Sequence, residues 1–237
     1  MRSEPKPYFK EGMVTLYHGD ARTLVPRLGK FDAIITDPIW PNCEHIFPGV
    51  DAGELLNAAL RHSDATRVVI HLGMNSDPRF LQAVPERWRY LRTCYLEYAL
   101  VGYLGRLLRD ADVAYVFGPP PPSKEGARCM PGRIVATKSN GDKKWKSKGR
   151  TQEDVANAVG QMQHPTQRNL QHVRWLAKWF GGQSVLDPFI GSGTTALACK
   201  SLGIACVGID IEERYLEYAA DRLRQSVLEL EPSTHDI

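Results

Sequence analysis

Short runs of apolar residues alternate with segments of helical periodicity along the first third of the chain. Residues 13–17, 31–36 and 67–72 are predicted strands, and the third is continuously apolar, as in strands that are buried on both faces. Before the third strand, residues 51–54 (Asp-Ala-Gly-Glu) form a capping-box pattern that opens an apolar helix. Strand, helix and strand in this order predict a parallel sheet with crossover helices, and therefore an α/β fold.

The same alternation returns in the last third of the chain. Thr166 is the predicted cap of a helix whose apolar residues share one face at helical spacing, namely Leu170, Val173, Leu176, Ala177 and Phe180. The predicted elements after it are a strand at 184–186, a helix at 196–202, a strand at 204–209 and an amphipathic helix at about 212–228. A glycine-rich loop joins the first of these strands to its helix, and Asp210 ends the second strand. This unit of strand, glycine loop, helix, strand and acid is the strongest local signal in the sequence.

The segment between these two units has a different composition. Residues 88–117 are rich in Trp, Tyr, Leu and Val, which is consistent with further helix or strands, and 115–117 predict a strand that ends at Gly118. Four consecutive prolines at 119–122 then break the pattern. They predict a long surface loop or insertion.

Length and composition favour one globular domain over 1–237. The chain has 237 residues, of which 43% are hydrophobic and 24% are charged, and these values exclude a disordered or fibrous protein. No apolar run approaches the roughly 18–20 residues that span a bilayer, and the N-terminal residues lack the apolar core of a secretory signal. We therefore expect a cytoplasmic protein with no membrane partner.

The formal net charge of +3 is an average over two unlike parts of the chain. Residues 119–152 carry nine Lys or Arg against two acidic residues, a net charge of +7, so the remainder is mildly acidic. Such a basic segment predicts a polyanionic partner. Charge alone is equally consistent with a solvated loop.

The cysteines and histidines show no pattern of a metal or catalytic site. The five cysteines, at positions 43, 94, 129, 199 and 206, have no Cys-x-x-Cys pairing and no His at zinc-ligand spacing. We expect free thiols in a reducing compartment and no metal. No triad or ligand spacing involves His18, His45, His71 or His172, so the sequence assigns them no role.

The glycine loop has the character of a nucleotide-type cofactor site. Gly191 and Gly193 permit positive φ and a close backbone approach, and the helix after them offers unpaired N–H groups. Asp210, at the end of the next strand, is placed to accept hydrogen bonds from two ribose hydroxyls.

Three ligands compete for this loop on its residues alone. A P-loop is excluded because no Lys follows the second Gly. NAD(P) is suggested by the match of residues 191–196 to the dinucleotide fingerprint, although the 27 residues after Asp210 are too few for the second half of that fold in the usual order. S-adenosylmethionine carries a sulfonium and an amino group that favour a carboxylate at the strand end, and Asp187 supplies one.

Three segments, in this order, resemble motifs of the amino-group DNA methyltransferases of the permuted beta class. Residues 36–40 (Thr-Asp-Pro-Ile-Trp) look like the catalytic Asp-Pro-Pro-Tyr tetrapeptide, preceded by Gly-Asp at 19–20. Residues 164–168 (His-Pro-Thr-Gln-Arg) resemble the His-Pro-Thr-Gln-Lys segment, and 187–195 (Asp-Pro-Phe-Ile-Gly-Ser-Gly-Thr-Thr) resemble the cofactor motif. The resemblance covers about 13–72 and 161–228. It implies a Rossmann-like methyltransferase fold, with a mostly parallel seven-stranded sheet flanked by helices and a circularly permuted motif order.

By this resemblance the cofactor is S-adenosylmethionine. The implied contacts are Asp20 at the adenine end, Asp210 at the ribose, Asp187, Phe189, Gly191 and Gly193 along the methionine and sulfonium, Thr194 and Thr195 beside them, and Thr166 and Gln167 at the methionine carboxylate. Arg168 stands where the family has Lys and is expected to keep the positive charge.

The resemblance also implies catalytic roles for Asp37, Pro38 and Trp40. An exocyclic amine is a poor nucleophile because its lone pair is delocalised into the base ring. The Asp37 side chain and the main-chain carbonyl of Pro38 would each accept one N–H hydrogen bond, which turns the lone pair toward the sulfonium methyl for in-line transfer. The base must leave the duplex to reach them, and stacking on Trp40, worth about 1–3 kcal/mol, would compensate for that.

The implied activity is site-specific methylation of the N6 amine of adenine in double-stranded DNA, as in restriction–modification or orphan methylases. An Asp at the first position of the tetrapeptide is associated with adenine N6, and a Ser with cytosine N4. Ile39 replaces the second proline, which adds a backbone N–H and relaxes the φ restriction. Ile39 leaves a catalytically impaired DNA-binding homologue open, and the match of residues 191–196 to the dinucleotide fingerprint leaves an NAD(P)-dependent oxidoreductase open. An N4-cytosine methyltransferase is a further alternative. Relatives of this class are often homodimers.

The resemblance assigns DNA recognition to the variable region 73–160, which contains the basic loop 119–152. The residues expected to contact phosphates are Lys143, Lys144, Lys146, Lys148 and Arg150. Phosphate contacts of this kind support affinity rather than sequence choice.

Overall fold

A computed structural model describes residues 5–40, 49–123, 126, 128–136 and 168–225. The strands are β1 (Phe9–Glu11), β2 (Val14–His18), β3 (Ala33–Thr36), β4 (Arg67–Gly73), β5 (Tyr90–Leu104), β6 (Leu107–Phe117), β7 (Arg133–Val135), β8 (Ser184–Asp187) and β9 (Ala205–Asp210). The helices are α1 (Ala21–Leu24), α2 (Ala52–Arg61), α3 (Leu170–Phe180), α4 (Thr194–Leu202) and α5 (Glu213–Gln225), and short 3-10 segments lie at Val25–Arg27 and Pro78–Ala83. Among these described residues, no helix is long and apolar enough to cross a membrane.

The strands form one mixed sheet in the order β1-β2-β9-β8-β3-β4-β6-β5-β7. Five of the eight neighbouring pairs are parallel, including the central run from β2 to β4. The predicted number of seven strands is wrong for the described part of the chain, which has nine, because three-residue strands β1 and β7 extend the two edges. The prediction of a parallel sheet with crossover helices is confirmed in the centre.

The central strands are apolar throughout because both faces of the sheet are covered. All four residues of β3 and all seven of β4 are buried. Along β3, Ile34 packs with α2 on one face, whereas Ala33 and Ile35 pack with α3, α4 and α5 on the other. Two core clusters follow from this alternation of side chains along a strand.

The helix starts depend on short polar side chains. Asp51 caps α2 by accepting a hydrogen bond from the backbone N–H of Glu54, as the capping-box pattern predicts. The predicted cap at Thr166 is wrong, because α3 begins at Leu170 and Asn169 caps it by accepting from the backbone N–H of Gln171. An Asx side chain directly before the first helical residue reaches the free N–H groups that a residue one turn earlier does not.

The segment 88–117, for which the sequence left helix or strand open, forms the antiparallel pair β5 and β6. Their pairing shifts register between Glu97 and Gly102. β6 also pairs antiparallel with β4, so the inner half of β6 is buried in the sheet while its outer half, from Leu107, is exposed. This arrangement brings Asp112 of β6 opposite Gly73, the last residue of β4.

Candidate active site

A cavity of about 550 Å³ opens at the carboxyl ends of the parallel strands. Its wall is built by the residues that follow β2, β3, β8 and β9, which are Asp20, Asp37 to Trp40, Asp187 to Ser192, and Asp210 to Glu212. Ligands of open α/β sheets bind at this edge, because the loops that leave neighbouring parallel strands meet there. The cavity therefore joins the predicted cofactor residues to the predicted catalytic residues.

The glycine loop after β8 adopts the backbone for which its glycines are needed. Gly191 and Gly193 have φ values of 48° and 78°, which lie in the left-handed region that other residues avoid. Gly193 is the N-cap of α4, and a Cβ added there would lie 2.7 Å from the Cβ of Ala219 on α5. Thr194 and Thr195 are buried in the first turn of α4. The loop is thus pressed between the end of β8 and α5.

Asp187 places a buried carboxylate between the two halves of the cavity. Its Oδ1 accepts hydrogen bonds from the Thr36 hydroxyl at 2.8 Å and the Phe189 backbone N–H at 3.1 Å. Burial raises the pKa of Asp187 to about 7, against the opposing effect of hydrogen bonds from Thr195, Thr36 and Phe189. Since all these donors are neutral, a cation bound next to the carboxyl group would stabilise its ionised form.

Asp210 ties the glycine loop to the end of β9. Its Oδ2 accepts from the Gly191 N–H at 2.8 Å and its Oδ1 accepts from the Glu212 N–H at 2.9 Å. Burial raises the pKa of Asp210, and these backbone hydrogen bonds oppose the rise. Each oxygen keeps a lone pair for a further donor. The predicted ribose contact stays a prediction.

Asp20 lines the cavity, but its carboxylate is already paired. It caps α1 and accepts two hydrogen bonds from the Arg22 guanidinium at Oδ2, at 2.9 and 2.6 Å. Hydrogen bonding to Arg22 lowers the pKa of Asp20, against the smaller opposing effect of burial. A contact between Asp20 and an adenine would therefore be shared with Arg22, a residue for which the sequence reasoning had no signal.

The predicted catalytic residues lie together directly after β3. The Nε1 of Trp40 donates to Oδ1 of Asp37 at 2.8 Å, and Pro38 between them is buried. Ile39, which departs from the family pattern, is partly buried against the core beside Trp40. The second carboxylate oxygen of Asp37 accepts from Nε of Arg168 at 2.6 Å.

Arg168 was expected to keep the positive charge of the family's Lys, and in the structure it lines the cavity in contact with the predicted catalytic residues. Its guanidinium carbon lies 4.0 Å from the centroid of the Trp40 ring. Burial disfavours the charged guanidinium, but the negative charges of Asp37 and Asp112 outweigh burial and raise the pKa of Arg168. Since 131 residues separate it from Asp37 along the chain, no local pattern could have revealed this contact.

A second buried carboxylate, Asp112, lies behind the catalytic residues. Its Oδ2 is contacted by Nε2 of His71 at 3.0 Å, the Tyr98 hydroxyl at 2.5 Å and Nη1 of Arg168 at 3.3 Å. Burial alone would raise the pKa of Asp112, but the hydrogen bonds and charges of His71, with help from Arg168 and Tyr98, hold it at about 2. The sequence assigned His71 no role; the structure buries it at the cavity wall, where it pairs with Asp112.

Three further residues belong to the cavity region and were missed. Ile211, 63% exposed, and Tyr215 lie at its wall beside Asp210. Arg222 of α5 donates to the carbonyl of Ser192 at 2.5 Å and lies 3.3 Å from the hydroxyl of Thr194. The position immediately after a strand-end acid is a usable signal for Ile211, whereas Arg222 sits on an ordinary amphipathic face.

Several predicted contact residues lie outside the described part of the chain. They are Thr166 and Gln167 for the cofactor and Lys143, Lys144, Lys146, Lys148 and Arg150 for DNA. Within the described ranges, no group of three or more His, Cys, Asp or Glu side chains is arranged to hold a metal ion. Cys94, Cys129, Cys199 and Cys206 are free thiols there.

Comparison with known proteins links this site to DNA methylases. Residues 119–221 match the N6_N4_Mtase family model, described as DNA methylase. The type II methyltransferase M.HpaI of Haemophilus parainfluenzae is 47% identical over 62 residues, which make up 25% of this chain and 20% of M.HpaI. The aligned segment is thus about a fifth of the length of that curated relative. The match to the family model includes Asp187 and Asp210 but not Asp37.

Two solved structures share the fold over nearly the whole chain. The M1.HpyAVI–SAM complex has a TM-score of 0.63 at 24% identity and covers 89% of this chain and 98% of that one. PvuII DNA methyltransferase, which is cytosine-N4-specific, has a TM-score of 0.62 at 14% identity and covers 98% of this chain and 91% of that one. The chain therefore has the Rossmann-like α/β fold of these methyltransferases. The resemblance to amino-group DNA methyltransferases is confirmed, and the permuted class stays a prediction.

Proposed function

We propose that this protein transfers a methyl group from S-adenosylmethionine to the exocyclic N6 amine of adenine in double-stranded DNA. One observation carries the proposal: the half-buried Asp37 lines the same cavity as the glycine loop, the buried Asp187 and the strand-end Asp210. The match of residues 119–221 to DNA methylases and the likeness to type II methyltransferases support it.

The residues of the cavity fit S-adenosylmethionine. Its volume of about 550 Å³ lies within the usual range for small-molecule sites. Burial raises the pKa of Asp187 to about 7, and a bound cation would stabilise its charged form. Asp210 and Gly191 line the cavity, where Asp210 would accept hydrogen bonds from ribose hydroxyls, while Gly193 packs against Ala219 of α5 and shapes the loop from behind. Bound there, the cofactor would supply an electrophilic methyl group on a sulfonium.

The chain's own residues supply orientation and hydrogen-bond acceptors. Asp37 and the carbonyl of Pro38 accept the two N–H bonds of the base amine, so that its lone pair faces the methyl donor. Trp40 offers a ring face for stacking and holds Asp37 through its Nε1. The proton that the amine loses after transfer would pass to the Asp37 carboxylate, to which that N–H donates.

The proposal extends to DNA recognition, the choice of base, the location of the protein and its assembly. The whole chain acts as one domain in which 73–160 recognises DNA, and the basic residues around 143–150 bind phosphates. Adenine is favoured over cytosine because the first residue of the tetrapeptide is Asp37. A cytoplasmic location and a homodimer complete the proposal.

Sequencing of modified bases tests the proposal in DNA from cells that express the protein and have no methylase of their own. The expected result is N6-methyladenine at one recurrent sequence context, and its absence when Asp37→Ala is expressed at the same level. N4-methylcytosine at such a context would correct the base and keep the reaction type. No modified base with either protein, at confirmed expression, would contradict the proposed function.

A further inference from the structure

The guanidinium of Arg168 lies over the ring of Trp40 and contacts Asp37, two residues of the catalytic tetrapeptide. Its carbon is 4.0 Å from the centroid of the Trp40 ring, and its Nε donates to Oδ2 of Asp37 at 2.6 Å. The Arg168 side chain is 14% exposed and that of Asp37 is 23% exposed, so the pair is largely shielded from water. A planar cation is thus stacked on the aromatic residue while it donates an N–H to the catalytic carboxylate.

These two contacts are the ones that the proposed mechanism requires of the target base. A base in position would stack on Trp40 and donate an amine N–H to Asp37. A separation of 4.0 Å is a stacking contact, so a base ring cannot enter between the guanidinium and the indole. The benzene part of the indole is packed on another side against Gly73, where an added Cβ would overlap Cζ3 and Cη2. Arg168 therefore covers a ring face on which a base could otherwise stack.

Arg168 has a second carboxylate within reach. Its Nη1 already lies 3.3 Å from Oδ2 of Asp112. Asp112 is 8% exposed and is fixed by His71 at 3.0 Å and by the Tyr98 hydroxyl. It therefore stays in place as an anchor when the guanidinium moves.

We propose that Arg168 occupies the subsite of the target base as a stand-in, and that entry of the base moves it from Asp37 and Trp40 onto Asp112. This inference rests on the proposed function of the same site. Arg168 acts as a specificity-determining residue, because a base must match both its stacking and its hydrogen bond to replace it. Lys in this position would keep the charge but lose the plane that covers Trp40. Because this chain has Arg where the family has Lys, the side chain of Arg168 competes with the target base for Trp40 and Asp37.

A duplex that keeps adenine at the target position and carries 2-aminopurine directly beside it tests the exchange, since the fluorescence of 2-aminopurine rises when its neighbouring base leaves the stack. The duplex carries the sequence context found by methylome sequencing, and each variant is measured at saturating DNA. Arg168→Met is expected to raise the fluorescence at least about threefold and to lower KM for DNA, because the competitor is gone. Arg168→Lys should give a smaller rise. Arg174→Met, on the exposed side of α3, is the matched control and should leave the signal unchanged.

Asp112→Asn gives the opposite prediction and separates exchange from a merely structural role. Without the anchor, Arg168 is held on Asp37, so the fluorescence should fall below that of the wild type. The double variant Arg168→Met with Asp112→Asn should show the same fluorescence as Arg168→Met alone. Thermal unfolding identifies any variant that does not fold. If Arg168→Met does not fold, Arg168→Lys is compared with the wild type in its place.

The outcomes distinguish this inference from the function on which it rests. Methyl transfer by the wild type, with fluorescence that is unchanged or lower in both Arg168→Met and Arg168→Lys, would overturn the exchange and leave the function standing. Absence of methyl transfer to any DNA would overturn both.

Discussion

Two buried carboxylates of the site are shifted in opposite directions, and their partners explain why. Asp112 faces His71 and Arg168, and its pKa is held at about 2. Asp187 receives only neutral donors, from Thr36, Thr195 and a backbone N–H, and burial raises its pKa to about 7. The first carboxylate is paired with cationic groups of the protein, whereas the proposed cofactor would supply the positive charge beside the second.

Cofactor binding should therefore depend on the protonation of Asp187. Below pH 7 a proton must leave before the carboxylate can pair with the cofactor's amino group, so affinity should rise about tenfold per pH unit from pH 5.5 to 6.5 and level off above about 7. In the free protein the raised pKa has the reverse consequence, because the stability from protonated Asp187 is lost as pH rises through about 7. Calorimetry across this range measures both. Asp187→Asn should bind more weakly at pH 8 and show no such dependence, and an unchanged profile in that variant would contradict the assignment.

Gly193 gives a second prediction at the residue scale. Gly193→Ala places a Cβ at positive φ and 2.7 Å from the Cβ of Ala219, so it should lose more than the roughly 1–2 kcal/mol of left-handed strain alone. Gly203→Ala is the matched control, with φ 68° and its nearest neighbour 3.9 Å away. Thermal unfolding of the two variants isolates the clash. Equal losses would show that α5 does not press on the loop.

At the scale of elements, the sequence predicted the helices and strands that are marked by residues close together in the chain, within about 25 positions. β8, the glycine loop, α4 and β9 lie within two residues of their predicted bounds, because strand-end acids, glycines and helical spacing all act locally. The β5–β6 pair was undecided, because its aromatic and branched residues suit either structure until β4 pairs with β6. The contact between Arg168 and Asp37 depends on the order of strands in the sheet and has no local signature.

The helix α5 acts as a clamp on the glycine loop, and Arg222 makes this testable. Burial lowers the pKa of Arg222, and its donation to the Ser192 carbonyl compensates for that burial. Arg222→Met should cost about 1.5–3 kcal/mol of unfolding free energy and weaken cofactor binding. Arg224→Met, on the same helix in an exposed pair with Asp221, should cost less than about 1 kcal/mol. Chemical denaturation and cofactor titration of both variants provide the comparison.

At the scale of the whole molecule, charge is divided between a mildly acidic body and the basic loop 119–152. The prediction of a loop is wrong for Arg133–Val135, which pair with β5 as strand β7. Among the aspartates that line the cavity, Asp20 and Asp37 are paired with Arg22 and Arg168, and Asp187 and Asp210 are left for a cationic cofactor. The basic loop provides the opposite character for a polyanion. The sequence predicted this division of charge. The lysines of residues 119–152 lie outside the described residues.

Neutralisation of the loop should weaken binding to all DNA sequences alike. Replacement of Lys143, Lys144, Lys146 and Lys148 by Gln should reduce the slope of log affinity against log salt by about 3 to 4, roughly 0.9 for each phosphate contact. Filter binding or anisotropy at several salt concentrations measures the slope. An unchanged slope would leave the segment as a solvated loop.

The most direct measurement is single-turnover transfer of labelled methyl from S-adenosylmethionine to duplex DNA by the wild type and by Asp37→Asn. The Asn side chain keeps the shape of Asp37 but loses one strong acceptor and its charge. We expect transfer by the wild type, and a loss of at least about a hundredfold in the variant with cofactor affinity retained. Transfer at an undiminished rate by Asp37→Asn would contradict the central role of this carboxylate.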